Sequence, residues 1–118
     1  MRLIDFFDRG VLINPDRVYL EDDDVSRTFR EVQARTYQFA NAIAAEGFGP
    51  GRMAGIYSPN CVSGFEAMLG LFRSGTAWVP VNAKNAIDEN AYILDHNDVE
   101  ILFYHSSFEP AMERIKVL

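Results

Sequence analysis

The segment from Gly47 to Asn82 constrains the fold of this chain more than any other. It reads as a glycine-rich turn, a short apolar strand, a helical pattern and a second apolar strand. A strand, a helix and a second strand in this order are the unit from which parallel α/β sheets are built. The continuous apolar runs Met53–Tyr57 and Ala77–Val79 are typical of strands that are covered on both faces. We therefore predict an α/β fold with an open, mostly parallel, doubly wound sheet.

The residues after Asn82 extend the same pattern. A helix is expected to begin near Asn85 or Asp88, with an apolar face that includes Ala91, Ile93, Leu94 and the ring of Tyr92. A third apolar strand is predicted at 99–104, and a helix at 110–118. Because crossovers between parallel strands are right-handed, this order gives half of a doubly wound sheet.

A short helix and a β-hairpin are expected to precede the sheet. Apolar residues three and four apart predict a helix over Leu3–Ile13, and Val18–Leu20 and Val25–Arg27 read as two short strands. The acidic run 21–24 between them is either a solvated turn or a cation site, and we favour the turn. Thr28 and Glu31 form a capping box that begins a second helix.

The glycine-rich loop Gly47–Gly51 is predicted to be a helix end and a turn. A phosphate-binding loop follows a strand and begins a helix, so that the helix amides point at the anion. Here the predicted helix lies before the loop and the strand after it. The sequence therefore gives no phosphate loop at this position.

Composition excludes several classes of function. The chain of 118 residues has a net charge of -6 and a pI near 4.8, which argues against nucleic acid and anionic membranes as partners. It contains one cysteine, so an intrachain disulfide is excluded, and a cytoplasmic location is expected. No apolar run approaches the ~20 residues of a transmembrane helix.

Ligands of open parallel sheets bind at the carboxyl ends of the strands. The segments there are predicted to be 58–60, 80–84 and 104–107. Asn60 and Asn82 are expected to orient their loops by bonding backbone amides. Lys84 is either an anion contact or a solvated surface lysine, and the residues alone leave both open.

No catalytic group stands out. His105 is expected to be structural, and His96 lies where a helix C-terminus favours a cation. Ser106 and Ser107 lack the context of a hydrolase nucleophile. Cys61 is expected to be a buried structural thiol, although its place at a helix start can lower a thiol pKa.

Taken together, these motifs resemble the N-terminal part of the adenylate-forming (AMP-binding) ligases, which include acyl-CoA synthetases and peptide-synthetase adenylation domains. The resemblance covers nearly the whole chain. Two positions depart from the family pattern: Ser63 stands where an acidic residue is usual, and Arg52 stands where aspartate usually follows the glycine. The matching segments are N-P-D-R-V-Y-L (14–20), R-T-F-R-E-V (27–32), F-A-N-A-I-A-A-E-G-F-G-P-G-R (39–52), S-P-N (58–60), F-R-S-G-T-A-W-V-P-V-N (72–82) and A-Y-I-L-D-H-N (91–97).

The resemblance implies a two-step reaction that uses ATP, Mg²⁺ and coenzyme A. A small carboxylic acid attacks the α-phosphorus of ATP and gives an acyl-adenylate, whose acyl group then passes to the thiol of CoA. The family's catalytic motifs would lie beyond residue 118, so no catalytic residue is carried over to this chain. Lys84 alone matches a position that is often basic in CoA ligases and lies near the nucleotide end of CoA, so the resemblance makes it a CoA phosphate contact.

We therefore expect residues 1–118 to be the N-terminal segment of the large N-terminal domain of an acyl-CoA synthetase, inactive alone and packed against the remainder of the ligase. Fatty acid metabolism is the expected setting, and a homodimer is left open. Two alternatives remain at this point. The chain belongs either to an adenylation domain that loads a carrier protein, or to a small non-enzymatic α/β module that acts through protein interaction.

Overall fold

The computed structural model describes residues 2–117, and the side chains of residues 2–113. A 3-10 helix at Ser106–Phe108 precedes the last helix. The other elements, in chain order, are α1 (Leu3–Ile13), β1 (Val18–Glu21), β2 (Ser26–Thr28), α2 (Phe29–Ala45), β3 (Met53–Tyr57), α3 (Val62–Ser74), β4 (Ala77–Pro80), α4 (Ile87–His96), β5 (Ile101–Tyr104) and α5 (Glu109–Val117).

A three-stranded parallel sheet in the order β4-β3-β5 forms the centre of the structure. Gly55 of β3 is aligned with Val79 of β4 and with Leu102 of β5. On one face, Ala54 and Ile56 of β3 join the core formed with α2 and α3. The other face carries Tyr57, which packs against α5 and the loop before α4. Helices thus lie on both faces, and the predicted α/β doubly wound class is confirmed.

The N-terminal elements also match their predictions. Helix α1 has its predicted bounds, and β1 and β2 form an antiparallel hairpin. Thr28 and Glu31 make the expected capping box, with the Glu31 N–H donating to Thr28 Oγ1 over 3.2 Å. Gly47 and Gly51 both have φ of 86°, the left-handed region that favours glycine, so the loop is a helix end and a turn as predicted. The helix expected at 110–118 is α5, and residue 118 lies outside the described residues.

Helices α1, α2 and α3 are joined through the guanidinium of Arg73. This side chain is 7% exposed and forms a bidentate pair with Asp8 of α1, with N–O distances of 3.0 and 2.6 Å. Its Nε donates to Thr36 Oγ1 of α2 over 3.1 Å, and its guanidinium lies 3.9 Å from the ring centroid of Tyr37. The Arg73 hydrogen bonds lower the pKa of the Asp8 carboxyl.

Three predictions about burial were wrong. Strand β4 is an edge strand, and Trp78 within it is 37% exposed. Strand β5 forms the opposite edge of the sheet. It is half-buried at Ile101, Leu102 and Phe103, because it has a neighbouring strand on one side only. The ring of Tyr92 is 66% exposed and stacks on His96, so it does not belong to the apolar face of α4. The continuous apolar runs in the sequence therefore led us to predict more burial than the structure has.

The acidic turn is more than the solvated turn that we favoured. The Asp22 carboxylate accepts the Val62 N–H at the start of α3 over 2.9 Å, and also the N–H groups of Asp24 and Val25. These bonds, led by the one from Val62, hold the pKa of Asp22 below its usual range. Asp22 therefore caps a helix that lies 40 residues later in the chain.

Candidate functional site

A cleft of about 560 Å³ lies where β3 and β4 end. It is formed by the two connections that leave the carboxyl ends of these parallel strands, with one aromatic ring from the 3-10 helix. This is the edge where open α/β sheets bind ligands. The residues that line it are Ser58, Pro59, Asn60, Val81, Asn82, Ala83, Lys84 and Phe108. The structure thus brings together two of the three predicted loop segments.

Lys84 stands in this cleft on a turn that Asn82 organises. Asn82 Oδ1 accepts the Lys84 N–H over 2.9 Å, and the Asn82 carbonyl accepts the Asn85 N–H over 3.0 Å. Asparagine forms such local turns because its side chain replaces a backbone acceptor. The predicted orienting role of Asn82 is confirmed, and the same role for Asn60 stays a prediction. The Lys84 side chain is exposed and can meet an anion in the cleft.

A buried asparagine side chain lies behind this turn, and the sequence analysis did not identify it. Asn90 of α4 is fully buried, and its Nδ2 donates to the Asn82 carbonyl over 3.0 Å and to Tyr57 Oη over 3.1 Å. The signal was present, since Asn90 lies three residues after Ile87 and four before Leu94, on the apolar face of the helix. A polar residue on an apolar face predicts a buried hydrogen-bond partner.

A second, more apolar cleft of about 450 Å³ adjoins the first across Ser58–Asn60. Trp78, Phe65 and Met68 line this cleft, and Cys61 lines it from the loop before α3. Cys61 is half-buried, not buried as we predicted. Partial burial raises the pKa of this thiol, but hydrogen bonds from Ser58, Ser63 and the Gly64 amide outweigh burial and lower the pKa overall.

The third predicted segment lies apart from Lys84. Tyr104 and His105 line a smaller cleft of about 140 Å³ that shares only Ser58 with the first. His105 Nδ1 accepts the Ser107 N–H over 3.2 Å and so caps the 3-10 helix, which agrees with a structural role. A hydrogen bond to Glu109 raises the pKa of Tyr104. His105 Nδ1 also lies 2.8 Å from Ser107 Oγ, and this serine–histidine contact is part of the same cap on the 3-10 helix.

Neither a metal-binding cluster nor a glycine-rich loop at the cleft is found among the described residues. Among the side chains that are described, those of residues 2–113, no group of three or more histidine, cysteine or acidic residues is placed to hold a metal ion. The glycine-rich loop 47–51 precedes β3 and so lies at the amino ends of the strands, away from the cleft. Among the same residues, no helix is long and apolar enough to cross a membrane. What this part of the chain offers is a scaffold, a cleft and an exposed lysine within that cleft.

Comparison with known proteins shows the family. The sequence profile of AMP-binding enzymes matches residues 7–117. A 3-oxocholest-4-en-26-oate–CoA ligase from Rhodococcus rhodochrous is 25% identical over 115 residues, which are 98% of this chain and 21% of that protein. A linear gramicidin synthase polypeptide from Brevibacillus parabrevis is 30% identical over 101 residues, 86% of this chain and 1% of that protein.

The fold agrees with that family. The solved structure of an anthranilate CoA ligase, in complex with anthranoyl-AMP, superposes with a TM-score of 0.93 at 24% identity. The superposition covers 99% of this chain and 23% of that one, so the chain spans about a quarter of the ligase or less. The profile match over residues 7–117 therefore shows that this chain belongs to the family of AMP-binding, adenylate-forming enzymes, and its fold agrees.

Proposed function

We propose that the chain is the N-terminal segment of an ATP-dependent acyl-CoA synthetase. In the proposed reaction a carboxylate oxygen attacks the α-phosphorus of ATP, the α–β phosphoanhydride bond breaks, and pyrophosphate leaves. The thiol sulfur of CoA then attacks the acyl carbon of the adenylate, and AMP leaves. The observation that carries the proposal is the match to a CoA ligase over 98% of the chain.

In this proposal residues 1–118 contribute scaffold and one ligand contact. The helical layer and the sheet position the carboxyl-edge cleft, and Lys84 meets a phosphate of CoA as a point charge. In this proposal the groups that bind ATP and Mg²⁺ belong to the remainder of the ligase. The chain alone is then inactive. A cytoplasmic location and a role in fatty acid metabolism complete the proposal.

The match to a gramicidin synthase supports a second candidate, an adenylation domain that loads a carrier protein. Both candidates share the first half-reaction and differ in the acceptor of the acyl group. The family match does not favour the third alternative, a module that acts through protein interaction alone.

The test begins with ATP–pyrophosphate exchange, measured with a panel of carboxylic acids. With at least one of the acids, the full-length protein that carries this chain should transfer labelled pyrophosphate into ATP. Residues 1–118 alone should not. CoA and a phosphopantetheinyl carrier protein are then offered to the loaded enzyme. A CoA thioester supports the synthetase, whereas transfer to the carrier only would favour the second candidate. Exchange by the isolated 118-residue chain would overturn its proposed inactivity.

A further inference from the structure

The buried amide behind the cleft carries an inference beyond the proposed function. Asn90 is the only buried residue of α4, whose side chains are all described, and its Nδ2 uses both of its donors, one on β3 and one on the loop after β4. Burying an amide costs free energy unless its groups are hydrogen-bonded. The side chain therefore links three parts of the molecule: α4, the end of β3 and the turn that carries Lys84.

We propose that Asn90 is a positioning residue, which fixes the turn at 82–84 and thereby the place of Lys84 in the cleft. Its bond to the Asn82 carbonyl approaches from the interior, while the Asn85 N–H binds the same carbonyl from within the loop. Asn82 Oδ1 in turn holds the Lys84 N–H. The geometric part of this proposal stands on these contacts, and its consequence for CoA rests on the function proposed above.

A feature of Asn90 separates positioning from simple support of the fold. Its Oδ1 is buried and has no hydrogen-bond partner among the described residues. An unsatisfied buried acceptor is unfavourable, so leucine, which has the same number of side-chain heavy atoms, removes that penalty. Leucine is larger than asparagine and leaves the buried Tyr57 hydroxyl without its Asn90 partner, so Asn90→Leu should lower the unfolding temperature while it removes the interior anchor of the turn.

Tyr57 supplies the matched control. Tyr57→Phe deletes the hydroxyl that accepts one Asn90 N–H and leaves the ring packed against Phe108, 4.9 Å between centroids. The other Asn90 N–H still reaches the Asn82 carbonyl in this variant. The two substitutions thus remove buried polar atoms from the same network, but only Asn90→Leu frees the turn.

The first experiment follows amide hydrogen exchange of residues 82–86 in the full-length protein, with thermal unfolding as the check on folding. Exchange at Lys84 and Asn85 should accelerate about two- to tenfold in Asn90→Leu, the range that corresponds to one lost hydrogen bond. It should stay near the wild-type rate in Tyr57→Phe. Unchanged exchange in a folded Asn90→Leu variant would overturn the positioning role.

The second experiment measures KM for CoA and kcat in Asn90→Leu, in Lys84→Ala and in the double variant. We expect KM to rise in both single variants at unchanged kcat, and no further rise in the double variant. An equal rise from Asn90→Leu in the Lys84→Ala background would contradict an action through Lys84. If exchange accelerates but Lys84→Ala leaves KM unchanged, the positioning role stands and the proposed CoA contact fails.

Discussion

The two faces of the central sheet are covered to different extents. On one face α2 and α3 bury Ile43, Ala54, Ile56 and Leu71 in a continuous core, and Arg73 joins α1 to the same layer. On the other face α5 packs against Tyr57, but α4, described along its whole length, buries a single residue, Asn90. One face is closed by contacts within the described chain, while the other leaves α4 half-exposed.

This difference separates stability from function. Close packing and a buried ion pair resist substitution, because the surrounding atoms cannot relax into the space or the charge that a variant leaves. Loops over a half-covered face carry fewer such constraints, and ligand-binding segments are commonly of this kind. The cleft with Lys84 is formed by loops at the carboxyl ends of β3 and β4. We therefore expect stability to depend on the helical layer, and ligand affinity on the loops.

Removing the charge at the centre of the helical layer should have one of the two largest effects. Arg73→Met leaves Asp8 without its bidentate partner and Thr36 without a donor. We expect a loss of about 3 kcal/mol in the free energy of unfolding, the lower end for a broken buried pair, because Asp8 remains partly exposed. Urea denaturation measures it. The exposed pair Arg30–Asp16 is the control, and Arg30→Ala should cost about 0–1 kcal/mol. Equal losses would refute the asymmetry.

One substitution made on each face compares the two directly. Leu71 is fully buried in the helical layer, and Leu94 of α4 is partly exposed beside Gly55 of β3. Leu71→Ala should cost about 2–5 kcal/mol, through lost transfer free energy and the cavity left behind. Leu94→Ala should cost about 1 kcal/mol, since part of its surface already meets water. The comparison fails if the two variants unfold at the same denaturant concentration.

The pH dependence of stability should report the same ion pair. In the folded protein the pKa of Asp8 lies below its ordinary value of 3.8, chiefly because of the hydrogen bonds from Arg73. A lowered folded-state pKa adds stability above pH 3.8, which is lost as the pH falls through the folded-state value. Unfolding free energies measured below pH 5 should therefore decline more steeply for the wild type than for Asp8→Asn. Parallel curves would show that the pair does not act through this carboxylate.

The smallest expected effect concerns the hairpin. Asp22→Asn keeps an oxygen that can accept the Val62 N–H but removes its charge from the start of α3. Asp22→Ala removes the acceptor as well, and should lower the unfolding temperature slightly, as for other helix caps. We expect the unfolding temperature of Asp22→Asn to lie between those of the wild type and Asp22→Ala. If Ala matches wild type, the contact between hairpin and α3 contributes nothing measurable.

The sequence predicted the order of elements well, because each element is specified locally. The Thr28–Glu31 box and the left-handed glycines Gly47 and Gly51 each act within a few residues. The family resemblance was also correct, and the profile match confirms it. The turn at Asn82 was predictable for the same reason, since its bond to Lys84 spans two residues.

Long-range polar contacts were not predictable in this way. The Asp22 carboxylate accepts the Val62 N–H, and Asp8 pairs with Arg73. Arg52, which departs from the family pattern, pairs with Glu100 just before β5. Each pair depends on the packing of elements that are distant in the sequence. Edge exposure of β4 and β5 was missed because apolar runs report composition and not the number of neighbouring strands. The position of Asn90 on the apolar face of α4 indicated that it is buried, but nothing in the sequence indicated its hydrogen-bond partners.

The most direct test of the central claim is the affinity of the full-length protein for CoA when Lys84 is replaced. Arg9→Ala is the charge-matched control, because Arg9 is exposed on α1 and does not line the cleft. Titration calorimetry should give a Kd for CoA about three- to tenfold weaker in Lys84→Ala and unchanged in Arg9→Ala. Unchanged affinity in Lys84→Ala, or an equal loss in both variants, would contradict a CoA phosphate contact at this cleft.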